Sequence, residues 1–110
     1  MEKFLFLFRG GMTSGSPEAM QANMQEWFAW VEKLRKEGKY ISGEPLHPTG
    51  KTVAGAKKTI TDGPYAEGKE LVGGFFIVDA NSLDEATEMA KDSPDYKNGG
   101  SVEVRQVMKM

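Results

Sequence analysis

The chain has 110 residues, 39% of them hydrophobic, and this length suits one globular domain spanning residues 1–110 with a modest core. Its 14 basic and 16 acidic residues give a formal net charge of -2, which argues against nucleic-acid binding because such surfaces concentrate Lys and Arg. The absence of cysteine excludes disulfides, thiolate chemistry and cysteine-based zinc sites, and it suits a reducing compartment. The apolar run Phe4 to Phe8 is too short for a secretory leader or a membrane span, so we expect a cytoplasmic protein without membrane contact.

The first predicted elements are a strand and a long helix. The strand, Lys3 to Arg9, is apolar on both alternating faces, which is typical of a strand buried on both sides. Ser16 is the predicted N-cap of the helix, which is expected to run to about Glu37 and to stop at Gly38. An apolar stripe is predicted to face the sheet, with Trp30 near its edge; its members are Met20, Met24, Trp27, Phe28, Val31 and Leu34.

The middle of the chain is predicted to hold a short strand, a loop and a hairpin. The strand covers Tyr40 to Gly43, and the loop after it carries His47, the only histidine. His47 is either a general acid or base or a solvated surface residue, and a lone histidine without cysteine does not predict a metal site. We expect no metal and no cofactor. Lys51 to Ala54 and Lys57 to Thr61 are then predicted to pair around a turn near Gly55.

The turn Asp62-Gly63-Pro64 comes directly after this hairpin. Pro64 has no amide hydrogen, so Asp62 cannot make the usual side-chain bond to the amide two residues on. Its carboxylate is expected either to cap the amide of Tyr65 or to point into a cleft. Two interpretations stay open: a well-made hairpin connection, and a functional loop that lines a cleft.

The last third of the chain repeats the layout of the first. Leu71 to Val78 is again apolar on both faces, and its adjacent Gly73 and Gly74 predict a bulge or a close backbone approach. Ser82 opens a capping box and with it a second helix. A final strand, Ser101 to Met108, alternates apolar and polar residues.

This order of elements predicts a ferredoxin-like βαββαβ fold of the α+β class with an inserted hairpin. The first strand and the Leu71 to Val78 strand are expected at the centre of the sheet. Two helices can cover only one face of such a sheet, so we expect a second copy to cover the other. Packing of the two sheets face to face would give a homodimeric α+β barrel, with clefts where Glu103, Arg105 or the Asp62 loop could converge.

Four motifs together resemble the YCII-related superfamily, and in particular its DGPF group, although Tyr65 replaces the phenylalanine of that name. They are Gly43-Glu44-Pro45-Leu46, Asp62 to Glu70, Gly73-Gly74-Phe75-Phe76 and Gly100 to Arg105. The resemblance implies a ferredoxin-like dimer. Some relatives resemble lyases or dehydrochlorinases with a proposed His and Asp pair. By spacing, those positions fall on Trp27 and Ser93 here, so the dyad is absent and its chemistry does not carry over.

Two functions follow as hypotheses. The first is a small-molecule-binding or accessory module, because the resemblance links DGPF-type proteins to extracytoplasmic-function sigma factors and no complete catalytic set is visible. The alternative is an enzyme of lyase or isomerase type that moves a proton on a small anionic substrate with His47 and Asp62. The candidate ligand-binding residues are Asp62, Tyr65, Glu67, Lys69, Glu70 and Arg105. A purely structural dimer is the third possibility.

Overall fold

A computed structural model describes residues 1–11, 14–64 and 70–110. Their helices and strands are β1 (Glu2–Arg9), α1 (Pro17–Lys36), β2 (Tyr40–Pro45), β3 (Lys51–Ala54), β4 (Thr59–Asp62), β5 (Val72–Ala80), α2 (Leu83–Ala90) and β6 (Ser101–Gln106). A 3-10 turn, Pro94–Asn98, precedes β6 where the sequence predicted a loop. The predicted order of strands and helices is confirmed.

The main sheet has four antiparallel strands in the order β2-β5-β1-β6. The two strands that are apolar on both faces therefore lie at its centre, as the sequence predicted. The edges are β6 and β2, and β2 ends at Pro45 opposite Gly74. The sheet and two helices form the ferredoxin-like α+β arrangement.

The two helices cover one face of this sheet. Phe4 and Phe6 are fully buried there, whereas the side chains that alternate with them, Leu5 and Leu7, are only half-buried on the other face. The Trp30 ring stacks on the Phe6 ring at a centroid distance of 6.2 Å, which ties α1 to the central strand. We call the face of Leu5 and Leu7 the open face.

Both helices begin where the sequence predicted. The Ser16 hydroxyl accepts a hydrogen bond from the Ala19 amide at 3.1 Å, and the Ser82 hydroxyl accepts one from the Glu85 amide at 3.1 Å. In α2 the small side chain of Ala86 is fully buried against the sheet. No helix in the described part of the chain combines the length and the apolar character needed to cross a bilayer.

The predicted apolar stripe of α1 is wrong in its orientation. Met20, Met24 and Phe28 are exposed. Trp30, predicted at the edge of the stripe, is only 4% exposed and lies at the centre of the buried helix face. A helix turns 100° per residue, so a sequence with apolar residues over a wide arc fits several orientations. Stacking of Trp30 on the phenylalanines of β1 selects the orientation that is observed.

The glycine pair of β5 serves both purposes that the sequence predicted. The register shifts there: Phe8 pairs with Gly74 but Arg9 pairs with Val72, which leaves Gly73 as an extra residue in β5. A side chain on Gly74 would place its Cβ only 2.9 Å from the carbonyl oxygen of Glu44. The bulge and the close approach of β2 both follow.

Strands β3 and β4 form a separate two-stranded sheet, which we call the hairpin arm. At its base the Thr52 hydroxyl donates to the Gly63 carbonyl at 2.8 Å, and the Gly63 amide donates to the Gly50 carbonyl at 2.7 Å. In the described chain no other element packs extensively on the arm. The radius of gyration is 15.4 Å, against about 13 Å for a compact chain of this length.

Candidate functional site

A recess opens at the end of the sheet where β1 leaves the core. Three segments that are distant in sequence meet there: the end of β1, the middle of α1, and the 3-10 turn with the start of β6. The lining residues are Phe8, Arg9, Gly10, Trp27, Ser93, Asp95, Tyr96, Gly100 and Ser101. The site therefore depends on the tertiary fold rather than on one continuous motif.

Aromatic side chains form the inner wall of the recess. The half-buried Trp27 ring meets the Phe8 ring edge to face at 4.8 Å and the Phe76 ring at 5.9 Å. Contacts of this kind hold rings in fixed positions and add to the energy of burial. Trp27 thus presents a rigid apolar surface at the mouth of the recess.

A carboxylate in the 3-10 turn holds the outer wall together. Asp95 Oδ1 accepts hydrogen bonds from the side-chain amides of Asn23 at 2.5 Å and Asn98 at 3.1 Å. Its Oδ2 lies 2.4 Å from the place where a Cβ of Gly11 would be, so that position has no room for a side chain. Asp95 therefore joins α1, the turn and the loop after β1.

Two hydroxyl groups of the recess belong to the turn region. Ser93 is 8% exposed, and the Tyr96 hydroxyl donates to the carbonyl oxygen of Ala90 at 2.7 Å. Burial raises the pKa of the Tyr96 phenol above its usual value, and the nearby negative charge of Asp92 raises it further. The phenol is therefore neutral at physiological pH and holds the turn against α2.

The charged side of the recess borders the open face. The Arg9 guanidinium donates to the carboxylate of Glu103 on the neighbouring strand β6. Arg105 lies further along β6, 4.0 Å from the same carboxylate. These three side chains form a polar margin of the open face along β6, where Glu103 pairs across the strands with Leu7 and Arg105 with Leu5.

The recess is small in the single chain. The centre of a water molecule can move through only about 10 Å³ of it, which is room for about one water. Drug-sized ligands occupy pockets of roughly 300 to 1,000 Å³. A ligand larger than water therefore does not fit the recess of the single chain as it stands.

The nominated residues that the structure describes lie outside the recess. His47, Asp62, Glu70 and Arg105 are all exposed, and none of them lines the recess. Three further candidates, Tyr65, Glu67 and Lys69, lie outside the described residues. The structure thus does not bring the nominated set together around this recess, and the set stays a prediction.

Asp62 has a local partner in the hairpin arm. It is the last residue of β4, its side chain is 91% exposed, and its Oδ1 is 2.5 Å from the Nζ of Lys51, its cross-strand neighbour. An exposed pair of this kind contributes little to stability, typically about 0 to 1 kcal/mol. The carboxylate therefore pairs within the arm, and both interpretations of the turn stay open because residues 65–69 lie outside the described part of the chain.

The two positions that the resemblance assigned to a His and Asp pair do come together. Trp27 on α1 and Ser93 before the 3-10 turn line the same recess, although they are 66 residues apart. Neither side chain is an acid or base at neutral pH. Sequence reasoning missed the contact between Asn23 and Asp95 beside them. The resemblance pointed to the residue directly before Pro94, whereas the acidic residue of this chain comes directly after it.

A shallow groove lies on the other side of α1, between that helix and the 3-10 turn. Its lining residues are Glu26, Ala29, Trp30, Lys33, Asp92 and Pro94. Lys33 Nζ and Asp92 Oδ2 form an ion pair of 3.0 Å, which raises the pKa of Lys33 through the hydrogen bond and the charge of Asp92. Among the described residues, no group of three His, Asp or Glu side chains gathers as a metal site would require.

The fold and the recess define a small α+β domain with a site at the end of its sheet. The sequence profile of the YCII-related domain matches residues 4–110, so the chain belongs to the YCII-related family. An uncharacterized protein of Rhizobium meliloti (strain 1021) is 43% identical over 60 residues, which are 54% of this chain and 44% of that protein. The chain thus spans less than half the length of this relative.

A solved structure is similar over nearly the whole chain. It is 5-chloro-2-hydroxyhydroquinone dehydrochlorinase from Burkholderia phenoliruptrix AC1100 in complex with 2,5-dihydroxybenzoquinone, at 25% identity and a TM-score of 0.55. The match covers 96% of this chain and 93% of that one. The same architecture therefore occurs in an enzyme that acts on a small oxygenated ring.

Proposed function

We propose that this YCII-related chain is a small-molecule-binding module that works as a homodimer and holds its ligand at the Trp27 and Ser93 recess. One observation carries the proposal: the two positions that the resemblance assigns to a His and Asp pair, Trp27 and Ser93, line one recess here, as an indole and a hydroxyl. The recess thus lies where the resemblance places the His and Asp pair, but neither of those two positions holds a histidine or an aspartate. Binding without the family's proton transfer is the function that fits best.

The lining residues favour a small, flat, oxygen-bearing ligand. The Trp27 ring supplies an apolar surface for a ring, and the hydroxyls of Ser93 and Ser101 supply hydrogen bonds to oxygen atoms. Arg9 and Arg105 share one carboxylate, that of Glu103, so the margin has a net charge of +1, which favours a ligand with acidic hydroxyl groups. The quinone bound by the similar dehydrochlorinase has this chemistry, and it is the natural first probe.

A second copy is part of the proposal because the recess of one chain has room for about one water. The open face carries Leu5, Leu7, Phe75 and Ile77, all only half-buried. Face-to-face packing of two sheets would bury these side chains and would place the Arg9, Glu103 and Arg105 margin at the border of the interface. Arg9 both lines the recess and lies on the open face, so the partner would approach the recess from the side of Arg9.

Ligand binding is tested with 2,5-dihydroxybenzoquinone by calorimetry and by thermal shift. We expect the wild type to bind it and Trp27→Ala to lose at least tenfold in affinity, with an unchanged circular dichroism spectrum. Ligand at 100 times the dissociation constant would stabilise the wild type by about 2.7 kcal/mol. Equal affinity of the wild type and Trp27→Ala would contradict a site at this recess.

The alternative enzyme with His47 and Asp62 is tested with the same probe. The two side chains are exposed and neither lines the recess, so we expect His47→Gln and Asp62→Asn to bind the quinone as the wild type does. Loss of binding in both variants, together with full binding by Trp27→Ala, would favour the alternative site.

The dimer is tested by light scattering on Leu7→Glu, which places a charge at the centre of the open face. We expect about twice the chain mass of 12.1 kDa for the wild type and the single-chain mass for the variant. Thr87→Glu, on the exposed side of α2, is the matched control and should remain dimeric. A wild type that is monomeric at micromolar concentration would overturn this part of the proposal.

A further inference from the structure

The three walls of the recess differ in how firmly they are anchored. β1 is a central strand with a neighbour on each side, and α1 is tied to the sheet by the stacking of Trp30 on Phe6. The third wall includes the 3-10 turn Pro94–Asn98, which has five residues and belongs to neither sheet of the described chain. Side-chain contacts attach this turn to the helices. The turn is therefore the wall that moves most easily.

Two side-chain contacts join the turn to α1, and they differ in their exposure. Lys97 Nζ and Glu26 Oε1 are 2.7 Å apart, and their side chains are 62% and 43% exposed. Exposed ion pairs contribute little to stability. The hydrogen bond of 2.5 Å from Asn23 Nδ2 to Asp95 Oδ1 is part-buried, and a hydrogen bond to a carboxylate is stronger where water is excluded. The Asn23 contact is thus the stronger of the two.

This stronger contact lies beside the indole of the recess. Asn23 and Trp27 are four positions apart on α1, so their side chains lie on the same face of the helix, one turn from each other. Asp95 and Trp27 both line the recess. The bond between Asn23 and Asp95 therefore fixes the distance between the turn and the indole, which sets the width of the recess.

Glycines on two sides leave room for Asp95 in this position. A Cβ on Gly11 would lie 2.4 Å from Asp95 Oδ2, and one on Gly100 would lie 2.8 Å from the Asp95 carbonyl oxygen. Gly99, at the end of the turn, has a φ of 81°, which is in the left-handed region. Two glycines in succession accept more backbone angles than other residues do, so they can serve as a hinge. The turn is thus closely fitted in its bonded position and has a hinge at its end.

From this arrangement we infer that Asn23 and Asp95 are positioning residues of the recess, because their bond holds the turn against α1 and keeps the recess closed. In the bonded state the recess has room for about one water. A ligand with a ring enters when the bond breaks and the turn moves away from α1 at Gly99 and Gly100. The proposed dimer partner would approach from the side of Arg9 and would leave this wall in place. The inference deepens the proposed function and rests on its binding site.

Closure of this kind makes binding weaker in the wild type than in a protein whose turn is released. The apparent dissociation constant equals the constant of the open form divided by the fraction of molecules that are open. A substitution that removes the bond raises this fraction. It should therefore raise both the apparent affinity and the association rate, which is the opposite of what the loss of a ligand contact does.

Hydrogen exchange measures the opening without any ligand. Asn23→Leu keeps the approximate size of the side chain but has no donor for Asp95. We expect the amides of Gly99 and Gly100, which donate to carbonyl oxygens of the turn at 3.1 and 2.9 Å, to exchange roughly tenfold faster or more in this variant. Amides at the centre of β1 should keep their rates. Equal rates at the turn in wild type and variant, or an equal increase in β1, would overturn the inference.

Two controls separate the bond from other effects of substitution. Glu26→Gln, on the same helix, weakens the exposed contact with Lys97 and should change the exchange of the turn amides by less than about threefold. Asp95→Asn keeps an oxygen that accepts from Asn23 but lacks the charge, so its exchange rates should lie between those of the wild type and Asp95→Ala. An effect of Glu26→Gln as large as that of Asn23→Leu, or an Asp95→Ala protein that exchanges as slowly as the wild type, would contradict the role of this bond.

The ligand measurement uses 2,5-dihydroxybenzoquinone with the wild type, Asn23→Leu and Trp27→Ala. In stopped-flow experiments we expect Asn23→Leu to associate roughly tenfold faster or more and to bind more tightly than the wild type, whereas Trp27→Ala binds more weakly. Weaker or unchanged binding by Asn23→Leu would overturn the closing role of the bond. Absence of quinone binding in all three proteins would overturn the proposed ligand site instead, and the exchange rates of the turn would then decide the role of the bond.

Discussion

The two faces of the sheet have similar apolar residues but different surroundings. On the face that the helices cover, Phe6 and Val78 are fully buried, whereas on the open face their chain neighbours Leu7 and Ile77 are only half-buried. Burying a side chain of this size contributes about 1.5 to 3 kcal/mol. The covered face is thus completed by the chain itself, and the open face gains this energy only if something else covers it.

This contrast has a simple origin in the sequence. Side chains of a strand alternate between its faces, so a strand that is apolar at every position supplies apolar groups to both. Two helices cover one layer only. The difference between the faces teaches that the chain covers one apolar layer of its sheet itself and leaves the other half-exposed. The predictions below test how far the two faces differ.

The largest effect is expected from Phe6→Ala on the covered face. Removal of this fully buried ring leaves a cavity under Trp30 and should lower the free energy of unfolding by about 3 to 5 kcal/mol. Urea unfolding followed by tryptophan fluorescence measures it. A loss under 1.5 kcal/mol would contradict the packing of this face.

The matched substitution on the open face is Leu7→Ala, one residue further along β1. We expect a smaller loss that depends on protein concentration, because Leu7 is only half-buried in the single chain and the proposed dimer would bury the rest of it. Unfolding curves at several concentrations compare the two variants. A concentration-independent loss as large as that of Phe6→Ala would remove the distinction between the faces.

Gly43→Ala tests how tightly the edge strand β2 packs on the covered face. A Cβ at this position would lie 2.4 Å from the Phe76 ring and 2.7 Å from the Phe75 carbonyl oxygen. Overpacking of this kind costs about 1 to 3 kcal/mol. Gly50→Ala is the control, since nothing lies within 4 Å of its added methyl group. Thermal unfolding of both should separate them clearly.

Ser16→Ala weakens the layer that covers the sheet by loss of the N-cap of α1. Only the hydrogen bond of 3.1 Å to the Ala19 amide disappears, which should lower stability by about 1 kcal/mol. Ser16→Asn is expected to restore most of it, because asparagine caps as well as serine. Chemical unfolding checks the order wild type, asparagine, alanine.

The smallest effect is expected from Glu85→Gln, which removes an ion pair between α2 and the segment before β2. The hydrogen bond and charge of Lys39 lower the pKa of Glu85 below its ordinary value. A lowered pKa in the folded state means that this stabilisation is present above the pKa of the unfolded chain and is lost as the pH falls through the folded value. The melting temperatures of wild type and variant should therefore differ at pH 7 and converge at pH 3.

The strands and caps were predictable because their signals are local. Apolar residues on both faces identified β1 and β5 as central strands, and Ser16 and Ser82 each cap a helix by accepting a hydrogen bond from the amide three residues on. The orientation of α1 was not predictable, since Phe28 and Trp30 are equally apolar and only the contact with β1 decides which is buried.

The recess was less accessible to sequence reasoning than the fold. Its bond between Asn23 and Asp95 joins residues 72 positions apart, and neither residue stands in a recognisable motif. The turn Asp62-Gly63-Pro64 attracted attention because its local chemistry is unusual, yet Asp62 pairs with Lys51 on the surface of the arm. An unusual local sequence drew attention to the turn, whereas the recess is formed by segments that only the tertiary fold brings together.

Pro45 at the end of β2 limits how copies of this chain can assemble. It offers no amide hydrogen, and β2 is a short edge strand of six residues. Edge-to-edge addition of strands, which leads to open-ended fibrils, is therefore disfavoured on that side. The proposed dimer uses the broad open face instead, and a twofold contact of that kind closes with two subunits.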